Sequence, residues 1–164
     1  MNNEILVDMI ELIDSVISQI RQGAKVTITG CGNSMEPFIE NGNDKIVLDK
    51  IPENKKICIG EIYLYQRFNG KYAIHRIYEV NDRTVSAVGD SQLFVERNIP
   101  KDNLVAIVTQ VIKKDGTSID CTDPETIRKN AAQMKRRIRR HQKKAAIKKI
   151  LLFFRKKDPY EKKI

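Results

Sequence analysis

Glu61-Ile62-Tyr63-Leu64-Tyr65-Gln66 and Tyr72-Ala73-Ile74-His75-Arg76-Ile77-Tyr78-Glu79-Val80, with Asn69-Gly70 between them, decide the fold class of this 164-residue chain. Both runs are rich in β-branched and aromatic residues, which fit a pleated, half-buried surface. Asn-Gly between two such runs predicts a hairpin with a type I′ turn, because that turn needs positive φ at both central residues. Working outward, Lys25–Thr29, Lys45–Leu48, Thr84–Val88 and Leu104–Ile112 have the same character. Asn41-Gly42-Asn43-Asp44, Pro52, Asn81-Asp82 and Asp115-Gly116 separate them as turns. Short strands at this spacing, without intervening helical patterns, predict a mostly β, antiparallel domain.

Helices flank it at both ends. Leu6, Ile10, Ile13, Ile17 and Ile20 recur three or four apart over 3–22 and predict an amphipathic helix ended by Gly23. Its acidic polar face suits packing on the core better than anchoring to anionic lipid. Asp123-Pro124 reads as an N-cap and first helical position, opening a long helix. Its apolar residues thicken towards Phe153-Phe154, and Asp158-Pro159 stops it. The expected organisation is therefore a helix over 1–22, a β domain over 23–122 and a basic helical tail over 123–164. The length suits one core with an appendage and is too short for two.

The net charge of +9 conceals a division. Residues 126–164 carry sixteen Lys and Arg against two acidic residues, +14, whereas residues 1–125 carry fourteen against nineteen, −5. The tail is thus expected to meet an anionic membrane surface, each basic residue near it contributing about 1 kcal/mol. Nucleic acid is the less favoured partner, since no base-stacking or base-reading pattern accompanies the charge. No run of 18 apolar residues occurs, and the N-terminus, with Asp8, Glu11 and Asp14, does not read as a secretory signal. Cys31, Cys58 and Cys121 form an odd set without C-x-x-C spacing, which implies neither a disulfide framework nor a zinc site. A cytoplasmic protein, peripheral at the inner membrane face and without cofactor or metal, is the expectation.

The chemistry lies in three places. Gly32-Asn33-Ser34-Met35-Glu36-Pro37 sets a serine on a turn, His75 sits in a strand, and Gly89-Asp90-Ser91 follows the next strand. A serine hydroxyl is a weak nucleophile until a base accepts its proton, and histidine, with a pKa near ~6.5, does so at neutral pH. A carboxylate on the far ring nitrogen fixes the tautomer and stabilises the imidazolium.

Ser34-Met35-Glu36-Pro37 resembles the serine box of the signal peptidase I and LexA-type serine peptidases. Ile59-Gly60-Glu61-Ile62-Tyr63 is similar to that superfamily's next strand, Ile74-His75-Arg76-Ile77 to the box holding the general base, and Val88-Gly89-Asp90-Ser91 to its Gly-Asp box. Four boxes stand in the family's order, and the likeness extends over roughly residues 24–113. His75, where most bacterial members carry lysine, resembles the Ser-His branch of endoplasmic-reticulum and archaeal signal peptidases.

The resemblance implies a partly open antiparallel β domain of the signal peptidase/LexA catalytic type. It implies a serine endopeptidase that cleaves an extended leader or signal-like peptide through an acyl-enzyme. Ser34 would be the nucleophile, His75 the general base and Asp90 the orienting acid. Glu96 falls where the branch places a later aspartate. The Ser34 N–H would be the first oxyanion donor, with the Asn33 amide where other members add a serine two residues before the nucleophile; here that place is Gly32. Signal peptidases carry a transmembrane anchor before the serine box; the amphipathic helix stands in that place here. The alternatives are a non-catalytic peptide-binding module of the same fold, or a basic-tailed nucleic-acid-associated regulator.

Overall fold

A computed structural model of the chain describes the backbone of residues 2–155 and the side chains of residues 12–148. Helix α1 (Asn2–Arg21) precedes strands β1 (Val26–Thr29), β2 (Lys45–Asp49), β3 (Ile62–Gln66), β4 (Tyr72–Val80), β5 (Thr84–Val88), β6 (Glu96–Pro100), β7 (Leu104–Ile112) and β8 (Ser118–Asp120); helix α2 (Pro124–Arg155) follows. All strand pairs are antiparallel, in the order β1-β2-β7-β3-β4-β5-β6, with β8 beside β7. The expected mostly β, antiparallel domain between two helices is what the chain forms.

The central strand β3 is buried on both faces. Ile62 and Leu64 join Ile46, Leu48, Ala106, Val108 and Val111 in one core, while Tyr63 and Tyr65 join Ile77, Val85, Ala87, Ile99 and Ile107 in another. Alternation along a strand sends neighbours to opposite faces, so each side of the sheet has its own apolar layer. Register shifts in the β2–β7, β3–β7, β4–β5 and β5–β6 pairs bend and twist the sheet.

Helix α1 covers the first core with Val16 and Ile20, and Ile13 packs beside them. A buried aliphatic side chain of this size contributes about 1.5–3 kcal/mol. The helix ends where expected: Gly23, at φ 90°, donates to Ile20 O and Ala24 donates to Gln19 O. These two bonds satisfy carbonyls the helix would otherwise leave open. The face positions Leu6 and Ile10 have side chains outside those described.

The β3–β4 hairpin differs from the expected type I′ turn. Gly70 donates to Arg67 O, Arg67 donates to Lys71 O, and of the Asn69-Gly70 pair only Gly70 has positive φ, at 78°. That is a type I turn with a glycine bulge, a three-residue loop. Asn69 accepts the Lys71 N–H on its side chain, which favours the arrangement. The same pattern closes β7 to β8 around Gly116.

Strands β6 and β8 were not expected. In β6, Arg97 and Asn98 are exposed and Asn98 takes φ 58°, so neither alternation nor propensity marks it. β8 has three residues, too few for a periodicity.

Helix α2 begins as expected: Asp123 Oδ2 accepts both the backbone N–H and the hydroxyl of Thr126 at 2.8 Å. Its first half is not a separate appendage, however. Met134 and Ile138 are buried with Val88, against Ile59, Tyr78 and Val95. A Cβ on Gly60 would lie 2.5 Å from Ile127 O, so the helix backbone presses on the chain entering β3. Ile127, Met134 and Ile138 lie on one helical face; the intervening basic residues mask that stripe in the sequence. The expected apolar end at Phe153-Phe154 and the stop at Asp158-Pro159 lie outside the described residues.

Candidate active site

His75 sits on β4 opposite Tyr63 of β3, and Tyr65, two residues along, lies diagonally across on the same face. The side chain is 2% exposed, which makes its few partners decisive. Nδ1 lies 3.0 Å from the Tyr65 hydroxyl oxygen and 3.2 Å from Glu96 Oε1. Glu96 also accepts from Arg67 Nε at 2.8 Å and from Arg67 Nη2.

These contacts select a tautomer. Burial raises the Glu96 carboxyl pKa, but Arg67 and Tyr65 outweigh it and hold the group below its usual range, as an anion. An anion accepts only, so a proton on Nδ1 is the assignment that suits Glu96 at 3.2 Å, with the Tyr65 hydroxyl oxygen 3.0 Å from the same nitrogen. Nε2 then carries the lone pair. It makes no hydrogen bond among the described residues.

Burial lowers the His75 pKa from its ordinary value; Glu96 pulls it back up, Arg67 pushes it down and Asp90 raises it, with a net lowering. The imidazole is therefore neutral at pH 7, the state a general base requires. Burial also pushes the Tyr65 phenol well above its usual value, with the Glu96 charge acting the same way, so that hydroxyl keeps its proton.

Ser34 stands on the loop between β1 and β2. Gly32 N donates to Asn41 Oδ1 at 3.0 Å, closing the loop on itself. Ser91 N donates to Ser34 O at 2.9 Å, and Ser91 Oγ donates to Asn33 O at 2.7 Å. Gly89 is pressed so tightly on the Ser34 carbonyl that a Cβ there would collide with it. The Ser34 N–H, the Ser34 hydroxyl and the Asn33 side chain make no hydrogen bond among the described residues.

Asp90 is committed elsewhere than expected. Arg76 Nε and Nη2 hold its two carboxylate oxygens at 3.0 and 2.7 Å. Arg76 Nη1 donates to Gly60 O at 2.7 Å, and its guanidinium lies 4.7 Å from the centre of the Phe38 ring. One buried arginine thus ties three boxes together: the loop of Ser34, the chain entering β3 and the Gly89-Asp90-Ser91 turn. The carboxylate beside His75 is Glu96, not Asp90. No hydrogen bond joins Ser34 to His75 among the described residues.

Tyr65, Arg67, Arg76 and Arg137 belong to no expected site, yet all four contact the candidate site. Tyr65 could have been found by pairing the two runs across the hairpin, which sets it near His75. Arg67 and Arg137 act over long sequence separations and carry no local signal. Arg137 Nη2 donates to Gly89 O at 2.8 Å, so helix α2 also holds the turn that backs Ser34.

Two further buried carboxylates are structural. Asp44 accepts from Glu40 N, Lys114 N and Lys113 Nζ, while Glu61 accepts from Cys58 N, Tyr63 Oη and Lys55 Nζ. No group of three or more His, Cys, Asp or Glu that could hold a metal ion occurs among the described residues, and no described helix is long and apolar enough to cross a membrane. Compared with models of known protein families and with curated proteins, the chain matches none.

Proposed function

We propose that this chain is a serine endopeptidase of the signal peptidase/LexA type, cleaving an extended leader or signal-like peptide. The observation that carries the reading is the state of His75: neutral, with Glu96 and Tyr65 at Nδ1 and no hydrogen bond to Nε2 among the described residues. Support also comes from the Ser34 loop, which is stapled to the turn following β5 while its hydroxyl and N–H stay free.

In this mechanism the Ser34 oxygen bonds to the scissile carbonyl carbon as its proton passes to His75 Nε2. The oxyanion takes the Ser34 N–H, with the Asn33 amide as the second donor. Glu96 stabilises the imidazolium. The carbon–nitrogen bond then breaks, Nε2 gives the proton to the leaving amine, and an acyl-serine remains. Water attacks it, losing a proton to Nε2, and releases the acid and Ser34. Asp90 and Arg76 are positioning residues that brace the loop and turn. The charge of residues 126–164 supports a cytoplasmic location at the inner membrane face as part of the same reading.

The test is a mass-spectrometric digest of a peptide library by wild type, Ser34→Ala and His75→Ala. Cleavage by wild type alone is expected. The missing Ser34–His75 hydrogen bond favours the second reading, a non-catalytic peptide-binding module, under which Ser34→Ala changes neither cleavage nor binding.

A further inference from the structure

Beside the apolar face of α2, Arg136, Arg137, Arg140, His141 and Lys144 line a groove whose other wall is Leu93. The cavity is about 440 Å³. Arg137 forms its inner end: its guanidinium is bonded to Gly89 O, and its Nε is fully buried without a partner. Gly89 in turn backs the carbonyl of Ser34. A cationic trough therefore touches, through Arg137, the turn that backs Ser34, and runs outward along the helix.

We infer that this groove is a substrate-binding subsite for an acidic stretch of polypeptide flanking the scissile bond; the inference rests on the peptidase reading above. Charge is the first reason: four permanent cations converge on one cavity, and no acidic side chain lines it. Unpaired cations crowded at this density repel one another, and a polyanion relieves the repulsion. Shape is the second. The groove is concave, with a helix on one side and Leu93, 43% exposed, on the other. A chain enters such a trough more readily than a flat bilayer does. Length is the third. From Arg137 to Lys144 the helix rises about 10 Å at ~1.5 Å per residue, matching about three residues of extended chain at ~3.3 Å each. The preferred ligand is accordingly a short run of Asp or Glu, with one apolar side chain against Leu93.

The experiment measures fluorescence anisotropy of labelled hexapeptides rich in Glu, Gln or Lys on the full chain. Three proteins are compared: wild type, Arg136→Glu/Arg140→Glu/Lys144→Glu in the groove, and Arg128→Glu/Lys135→Glu/Arg139→Glu on another helical face. All six positions are exposed, so both triple variants are expected to keep the wild-type circular dichroism. The Glu peptide should bind wild type at least tenfold more tightly than the Gln peptide, weaken with salt, and lose binding in the groove variant alone.

Equal binding of Glu and Gln peptides, or equal loss in both triple variants, overturns the inference. So does sedimentation with phosphatidylglycerol vesicles that only the groove variant loses while the peptides are not discriminated, because the groove then serves a lipid surface. Groove-dependent binding of Glu peptides with no cleavage of any peptide supports the groove and removes the peptidase reading. Cleavage that ignores an acidic flank does the reverse.

Discussion

Glu96 Oε1 lies 3.2 Å from His75 Nδ1, and the same carboxylate is gripped by Arg67. Its charge favours the protonated imidazole. Glu96→Gln keeps the shape and removes that charge. The expected result is a fall in kcat on the order of 10²-fold with KM little changed. Steady-state kinetics on a cleaved peptide checks it.

The lowered pKa of His75 fixes the pH dependence. Activity should rise through a midpoint below the usual ~6.5 and be level around neutrality. In Glu96→Gln the midpoint should move lower still, since a charge that raises the pKa is gone. A flat profile from pH 5 to 8 in the wild type would rule out His75 as the base. Stability follows the same sign: the unfolded imidazole binds a proton more readily than the folded one. This contribution is present above ~6.5 and is lost as the pH falls towards and through the folded value. Thermal melts of wild type and His75→Gln at pH 7 and pH 5 should show the smaller loss in the variant.

Arg76 and Asp90 make a buried pair that braces the site. Arg76→Met leaves the carboxylate without its cation and should destabilise the protein by about 3–5 kcal/mol in denaturant unfolding. Asp90→Asn should also cost stability, but shift the pH midpoint less than Glu96→Gln, because Asp90 acts on His75 from farther off. A larger shift in Asp90→Asn would restore Asp90 as the orienting acid.

Gly89 has no room for a side chain beside the Ser34 carbonyl. Gly89→Ala should push the Ser34 loop away, lowering stability by about 1–3 kcal/mol and reducing kcat more than KM. Unfolding and kinetics measured on one preparation separate the two effects.

The packing of α2 on β5 makes Ile138→Ala costly, about 2–5 kcal/mol in urea unfolding. Removal of everything after Cys121 should likewise expose Val88 and cooperatively destabilise the sheet. A chain ending at Lys148 keeps Met134, Ile138 and Arg137 and should melt like the full chain.

What the sequence made legible follows from periodicity. β4, β5 and β7 announce themselves because burial selects Val, Ile and Tyr at their positions, and α1 because its apolar stripe is uninterrupted. β6 is silent: Glu96 serves His75, Arg97 and Asn98 face water, and only Ile99 is buried. The candidate site was legible only as local motifs: His75, and the Ser34 loop and Gly-Asp turn that the structure joins. That Glu96 faces His75 while Asp90 pairs with Arg76 was not, because Arg76 and Arg67 decide it through contacts fourteen and twenty-nine residues distant.

The bond from Arg137 to Gly89 spans 48 residues of sequence. Synthesis proceeds from the N-terminus at ~5–20 residues per second, so about 2–10 s separate the emergence of the turn from that of the arginine which holds it. During that interval the nascent sheet lacks the helix that seals Val88 and braces the turn behind Ser34. The candidate site is thus completed late in biosynthesis, after every strand of the sheet has been made.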